Sequence, residues 1–230
     1  MEKIFQEITG RTEDHLIWNN ELSTKINKSA TRALSSLNKR AKSEGFDLRI
    51  ASAFRSFSRQ EEIWNKKMNG ERPILDKNNK LIDPKSLNPH ELVFSILKWS
   101  AIPGTSRHHW GTDFDFIDGN ALTSEYKVQL IKDEYLEGGI FYEFFSWLKE
   151  NSEEFGFYFP YREDLGGVGP EPWHLSYYPT AKIYQKIFSM EYYLKNLKIS
   201  SIPGKEILFK EADLIFQKYI QNTSSFNSSI

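Results

Sequence analysis

At 230 residues, with 39% hydrophobic and 27% charged residues, the chain can bury a core and is too apolar for a disordered protein. A formal net charge of -1 leaves no basic excess to attract nucleic acid or an anionic membrane, which argues against a polyanion partner. The absence of cysteine excludes disulfides and thiolate zinc sites, so any metal must sit on histidine and carboxylate ligands.

Charged residues from Glu2 to Asp14 interrupt the N-terminal stretch, which therefore lacks the apolar core of a signal peptide. No apolar run elsewhere approaches the ~18 residues of a membrane span. Ile26, Ala30, Ala33, Leu34 and Leu37 recur at helical spacing, predicting a helix from Leu22 to Lys42 that ends near Glu44 with Gly45 behind it. A short strand is expected within Phe46 to Phe54, leading into Arg55. Ser58 is placed to cap the next helix, which carries Gln60, Glu61, Ile63 and Trp64. Residues 66 to 88, with Gly70, Pro73 and Pro84 among many polar side chains, predict a surface loop or flap.

Asn88-Pro89-His90-Glu91 supplies an N-cap, a proline at the first helical position and a glutamate at the third, starting a helix through Trp99. Pro103-Gly104 ends that unit. Phe141, Phe144, Phe145 and Leu148 predict a core-facing helix from about Gly139 to Glu150. Beyond Pro179, Leu208, Ala212, Ile215 and Tyr219 keep helical spacing until the Ser/Asn-rich residues 222 to 229, which are expected to fray.

Chemistry concentrates in Ser106-Arg107-His108-His109-Trp110-Gly111-Thr112-Asp113-Phe114-Asp115-Phe116. If Thr112 to Ile117 is extended, Asp113, Asp115 and Ile117 share one face and Phe114 and Phe116 the other. His108 and Asp115 then supply two zinc ligands provided Gly111 lets the chain turn back, with Asp113 competing for the carboxylate position. Glu171-Pro172-Trp173-His174 is the best remaining source of a third ligand, His174, with Glu171 facing the water to be activated. Three protein ligands leave a fourth position open, as catalytic zinc sites require. Each group also has a bland reading. A histidine in a Gly-containing loop is usually a surface or hydrogen-bonding residue, and Trp110 and Trp173 suit packing walls. His109 points away from His108, and His15 and His90 fit solvent or capping positions.

Ser106-x-His108-x-x-Gly111-x-x-x-Asp115 together with Glu171-x-Trp173-His174 resembles the zinc D-alanyl-D-alanine carboxypeptidases and dipeptidases of the VanY/VanX type. Ser52-Ala53-Phe54-Arg55-Ser56 followed by Gln60 is similar to that family's arginine segment, and Glu171 to Tyr177 to the closing segment of its carboxypeptidase branch. The resemblance spans roughly Leu34 to Pro179. It implies His108, Asp115 and His174 as ligands of Zn2+, Glu171 as general base and acid, and Arg55 as the cation that polarises the scissile carbonyl. Ser106, Gln60, Trp173 and Tyr177 are implied at the substrate. Asp113 departs from the family, many members of which have a small residue there; it is expected to be a partner behind a ligand, a cation or amine binder, or an exposed strand residue, the last two being favoured over direct ligation.

The fold expected is a single α+β catalytic domain over residues 1–190, with an N-terminal helical segment and helices packed on a small antiparallel sheet of hedgehog-like type. The metal site is expected at the sheet's edge, and residues 191–230 form a C-terminal helical extension. The resemblance implies hydrolysis of peptidoglycan peptides, first of all removal of a terminal D-alanine. L,D-carboxypeptidase or lysin-type endopeptidase activity on the same fold is the nearest rival, and a catalytically silent cell-wall-binding protein is the reading from another class. Such a substrate implies a periplasmic or wall-facing location, with a recycling role in the cytoplasm as the alternative.

Overall fold

The computed structural model describes residues 2–226. In chain order the elements are α1 (Lys3–Ile8), β1 (Leu16–Asn19), β2 (Thr24–Asn27), α2 (Thr31–Ser43), β3 (Leu48–Ser52), α3 (Phe57–Met68), β4 (Ile74–Leu75), β5 (Leu81–Ile82), α4 (Pro89–Leu97), β6 (Asp113–Asp118), α5 (Tyr142–Asn151), β7 (Phe157–Tyr158), β8 (His174–Tyr177), α6 (Tyr178–Ile187), α7 (Met190–Ile199), α8 (Lys205–Lys210) and α9 (Ala212–Ile215). Helices pack on an antiparallel four-stranded sheet of order β3-β6-β8-β7, the α+β class expected. Residues 227–229 of the tail expected to fray lie outside the described residues. Among the described residues no helix is long and apolar enough to cross a membrane.

The helix expected from Leu22 begins only at Thr31; the residues before it form the β1–β2 hairpin. Its turn is held by Asn19 Oδ1, which accepts the Leu22 amide, and the backbone of Asn27 donates to the Gly111 carbonyl. These pairings satisfy the backbone as well as a helix would and bury Ile26, so tertiary contacts override the spacing. The C-terminal end of α2 falls as read, at Glu44 before Gly45, whose φ is +91°. The cap of α3 is Ser56 rather than Ser58: its Oγ accepts the Arg59 amide at 3.2 Å. The full capping box at Asn88 and Glu91 is present, and the 66–88 excursion is a flap built on the β4–β5 hairpin.

Strand β6 organises the molecule. Its alternation sends Phe114 and Phe116 into a core with Leu34, Leu37 and Ala41 of α2, Phe144 and Leu148 of α5, and Leu175 of β8. Asp113 and Asp115 therefore point to the opposite face. A second core joins Trp64 of α3, Val93 and Ile96 of α4, Tyr184, Leu197, and Leu208 and Ile215 from the C-terminal helices. The cavity lined by Asp115 and His174 is thus bounded by two packed bodies, the sheet and this helical cluster.

Gly111 makes the reversal between the 3-10 turn Arg107–Trp110 and β6, at φ +66°. A Cβ there would lie 2.4 Å from Leu16 Cδ2 and 2.9 Å from the Asn27 backbone nitrogen. Gly111→Ala is expected to lose the ~1–2 kcal/mol of left-handed strain plus the cost of displacing the hairpin. Denaturant unfolding measures it, and an unchanged midpoint would contradict the reading.

Candidate metal centre

Register brings the predicted ligands together. Asp115 of β6 is the direct cross-strand partner of His174 of β8, and Asp113 that of Ser176. Side chains so paired stand ~4.5–5.5 Å apart at Cβ. The site consequently lies on the face of the two central strands, not at the edge of the sheet. His108, on the turn before Gly111, completes a cluster in which one donor atom from each residue lies within 4.8 Å of the others.

The donor geometry fits zinc. His108 Nε2 is 3.4 Å from Asp115 Oδ2, and His174 Nδ1 is 3.4 Å from Asp115 Oδ1. Two ligands bound at ~2.0–2.2 Å around a tetrahedral ion stand ~3.3–3.6 Å apart, so each imidazole is placed to share a cation with one Asp115 oxygen. His108 Nδ1 donates to the Ala53 carbonyl at 3.0 Å, which leaves Nε2 as the inward lone pair. His174 Nε2 donates to Asp113 Oδ1 at 2.9 Å, which leaves Nδ1 facing inward. Asp115 Oδ1 and His174 Nδ1 are buried and make no hydrogen bond, the state expected of atoms reserved for a cation.

Asp113 is fully buried, which rules out the exposed strand position and leaves the partner behind a ligand among the alternatives expected for it. Besides His174 it accepts Arg107 Nε at 2.8 Å and Thr112 Oγ1 at 2.8 Å. Burial alone would raise its carboxyl, but Arg107 and His174 hold it well below the usual carboxylate range. It orients an imidazole, as carboxylates behind metal-ligating histidines commonly do. Sequence reading gave Arg107 no role. Its guanidinium also donates to Tyr158 Oη at 3.1 Å, Ser176 Oγ at 2.7 Å and Gln185 Oε1 at 3.1 Å. The need for it follows only from the burial of β6: a buried carboxylate requires a cation, and Arg107 stands six residues before it.

Glu171 Oε2 lies 3.1 Å from His174 Nδ1, beside the cluster, and a turn fixes it there: its amide donates to the Tyr161 carbonyl, and its carbonyl accepts the His174 amide. Burial would lower the His174 pKa, but Asp113, Glu171 and Asp115 outweigh it and raise the imidazole above its ordinary value. The Tyr161 ring meets His174 edge-on at 5.1 Å.

Arg55 follows β3, whose register slips between Ile50 and Ser52 so that Ser52, not Ala51, opposes Asp115. This bulge turns Ser52 to the ligand face, where its Oγ accepts Arg55 at 2.9 Å. Gln60 Oε1 accepts the other arm at 2.8 Å, while the Gln60 amide donates to the Ala101 carbonyl. Burial pulls the guanidinium down from its ordinary value, against the opposing field of Asp115 and Glu171. His109, fully buried, donates from Nδ1 to the Arg55 carbonyl at 2.6 Å and accepts the Gly104 amide on Nε2, so burial keeps it neutral with a pKa lowered to about 3.

Arg55, Ser106, His108, Asp115, Glu171, Trp173 and His174 line one cavity of about 340 Å³, within the ~300–1,000 Å³ of small-ligand sites. Gln60 sits behind Arg55, and Tyr177 lies on the other face of the sheet against Phe157, at 5.3 Å between rings. Strand alternation places it there, one residue beyond Ser176. His15 is buried, with Nε2 on the His109 carbonyl, rather than solvent-facing, whereas His90 is exposed beside Glu211. Trp110 is a packing residue that donates to the Ile8 carbonyl.

The family model VanY, D-alanyl-D-alanine carboxypeptidase, matches residues 23–180. An uncharacterised protein of Haemophilus influenzae is 38% identical over 121 residues, covering 52% of this chain and 92% of that protein. The D-alanyl-D-alanine carboxypeptidase of Enterococcus faecalis is 28% identical over 165 residues, covering 69% of this chain and 51% of that protein. Among solved structures, VanYB in complex with D-alanine-D-alanine is 25% identical at a TM-score of 0.53, covering 78% of this chain and 87% of its own. A mutant of the vancomycin resistance D,D-pentapeptidase VanY in complex with Zn(II) is 26% identical at a TM-score of 0.51, covering 78% and 88%. Matched by that family model over most of its length and sharing its fold with both VanY structures, the chain belongs to the VanY family of D-alanyl-D-alanine carboxypeptidases.

Proposed function

We propose that the protein is a zinc-dependent carboxypeptidase that removes the terminal D-alanine of peptidoglycan peptides. The observation that carries this reading is the convergence of two imidazoles, one carboxylate, Glu171 and Arg55 on a single cavity, with two buried donor atoms left unpartnered. His108 Nε2, Asp115 and His174 Nδ1 would hold the ion, whose chemistry when bound would be to lower the pKa of a water to ~7 and to polarise the carbonyl. Glu171 takes the proton of the attacking water and returns it to the leaving amine. Arg55 spends two of its five N–H donors on Gln60 and Ser52, so the others remain for the carbonyl oxygen as it gains charge. Ser106 and Trp173 contribute to the wall against which the peptide lies, and Gln60 acts through Arg55. Metal analysis of the purified protein, with mass spectrometry of peptidoglycan peptides before and after digestion, tests the reading. The expected products are one zinc per chain and loss of a single alanine; internal cleavage, or zinc-loaded protein that releases nothing, would overturn it.

Asp113→Asn removes the charge behind His174 and leaves Arg107 buried without its ion pair. Zinc affinity is expected to fall ~10- to 100-fold, read by competition with a chelator. Thermal stability falls in parallel, because an uncompensated buried charge is costly. Unaltered affinity would remove Asp113 from the site.

Metal binding also competes with a proton. Because the carboxylates raise His174, the metal-free site holds a proton there at neutral pH, and zinc must displace it. Apparent affinity is expected to rise with pH, by about tenfold per unit between about pH 6 and 8 for one proton released. Titrations at fixed ionic strength check the slope; a flat profile would contradict a protonated His174.

A further inference from the structure

Helix α3 carries Gln60, Ile63 and Lys67 at i, i+3 and i+7, one face of the helix. Gln60 grips Arg55, and Ile63 and Lys67 line the same cavity, with Lys67 about 10 Å along the axis from Gln60 at 1.5 Å per residue. Arg72, just past the helix, continues that wall with Pro73 and Leu75 of the flap. The other cations of α3 have a counter-charge: Arg59 and Lys66 share Glu62. Among the described residues the side chains of Lys67 and Arg72 make no ion pair or hydrogen bond, although both backbones are paired. The carboxylates lining the cavity, Asp115 and Glu171, face the metal cluster, 3.4 and 3.1 Å from His174 Nδ1, and Arg107 is matched by Asp113. What remains on this wall is uncompensated positive charge. Burial, then Arg72, lower the Lys67 ammonium to about 8, with Glu171 opposing, so it stays largely protonated at neutral pH.

Lys67 is partly withdrawn from water without a counter-charge, which raises the free energy of the empty cavity, and an entering anion removes that penalty; Arg72 is exposed and adds its charge where it lines the same cavity. Resting on the carboxypeptidase reading, we propose that Lys67 and Arg72 form a carboxylate-binding subsite for the peptide, beyond the metal cluster and separate from Arg55. Two carboxylates of a wall peptide have the right chemistry, the terminal one and that of an acidic side chain. A charge-assisted hydrogen bond from either cation distinguishes an acid from its amide by about 10- to 100-fold in affinity.

The probes are N-acetylated tripeptides ending in D-Ala-D-Ala, as free acid and C-terminal amide, with glutamate or glutamine at the first position. Calorimetric binding is measured on zinc-loaded protein carrying Glu171→Gln, so that nothing is turned over. If the terminal carboxylate is the ligand, the acid outbinds the amide, Lys67→Met with Arg72→Gln abolishes that preference, and Lys67→Arg retains it. If the side chain is the ligand, the same pattern falls on glutamate against glutamine. Either result supports the subsite. Charge preferences absent from the parent protein, or undiminished in the double variant, overturn it. Release of D-alanine by the unmutated enzyme is scored separately, so a failed subsite and a failed carboxypeptidase reading give different results.

Discussion

Replacing Glu171 by glutamine is expected to lower turnover by about 10²- to 10⁴-fold, the range for loss of a general acid–base, while zinc stoichiometry is unchanged. The substitution keeps shape and removes only the group that can accept a proton. His108, Asp115 and His174 remain, and the backbone turn that fixes residue 171 uses main-chain atoms that the substitution does not touch. The loss should fall on kcat, with KM changing little, because proton transfer is realised only in the transition state. Glutamine beside His174 Nδ1 removes one of the carboxylates that raise the imidazole, so metal affinity at low pH should if anything improve slightly. Steady-state kinetics on a peptide ending in D-Ala-D-Ala, with metal analysis of the same preparation, separate the effects. Turnover close to that of the unmutated protein would move the base elsewhere, and lost zinc would make Glu171 a ligand.

The pairing of His108 with Asp115 in the cluster was legible because its grammar is local: His108, Gly111 and Asp115 stand within eight residues, and period-two alternation decides which side chains of β6 share a face. The same alternation, carried onto β8, separates His174 from Tyr177, a distinction that motif resemblance alone does not draw. Arg107 and Asp113 were harder to assign. The Arg107 partners Tyr158, Ser176 and Gln185 come from three later elements, and burial of Asp113 follows from sheet order, which no local pattern encodes. The hairpin before α2 escaped for a related reason: Asn27 is held by Gly111, 84 residues away in the chain, and that pairing defeats a helical repeat. Lys67 is the clearest case. Its spacing from Gln60 was visible, but only the cavity shows that it lacks a counter-charge while Lys66 has one.

Arg55→Ala is expected to lower kcat by about 10²- to 10³-fold, the loss typical when one donor to a developing oxyanion is removed. The fold invests in this side chain. A bulge turns Ser52 inward, a fully buried glutamine is tied to Ala101 to hold the second arm, and His109 clamps the backbone carbonyl. Such support fixes direction, and direction is what electrostatic stabilisation requires, since the donors must already point at the oxygen when charge appears. Arg55→Lys keeps the charge but not the fork: an ammonium at that position cannot hold Gln60 and Ser52 and also face the carbonyl along a fixed line, so it should recover only part of the loss. Gln60→Ala, which leaves Arg55 present but untethered on one side, should lower kcat less than Arg55→Ala and leave zinc affinity unchanged. A guanidinium that only bound the ground-state peptide would give the opposite signature, a raised KM with kcat intact, and that split in the Arg55→Ala kinetics would refute the oxyanion role.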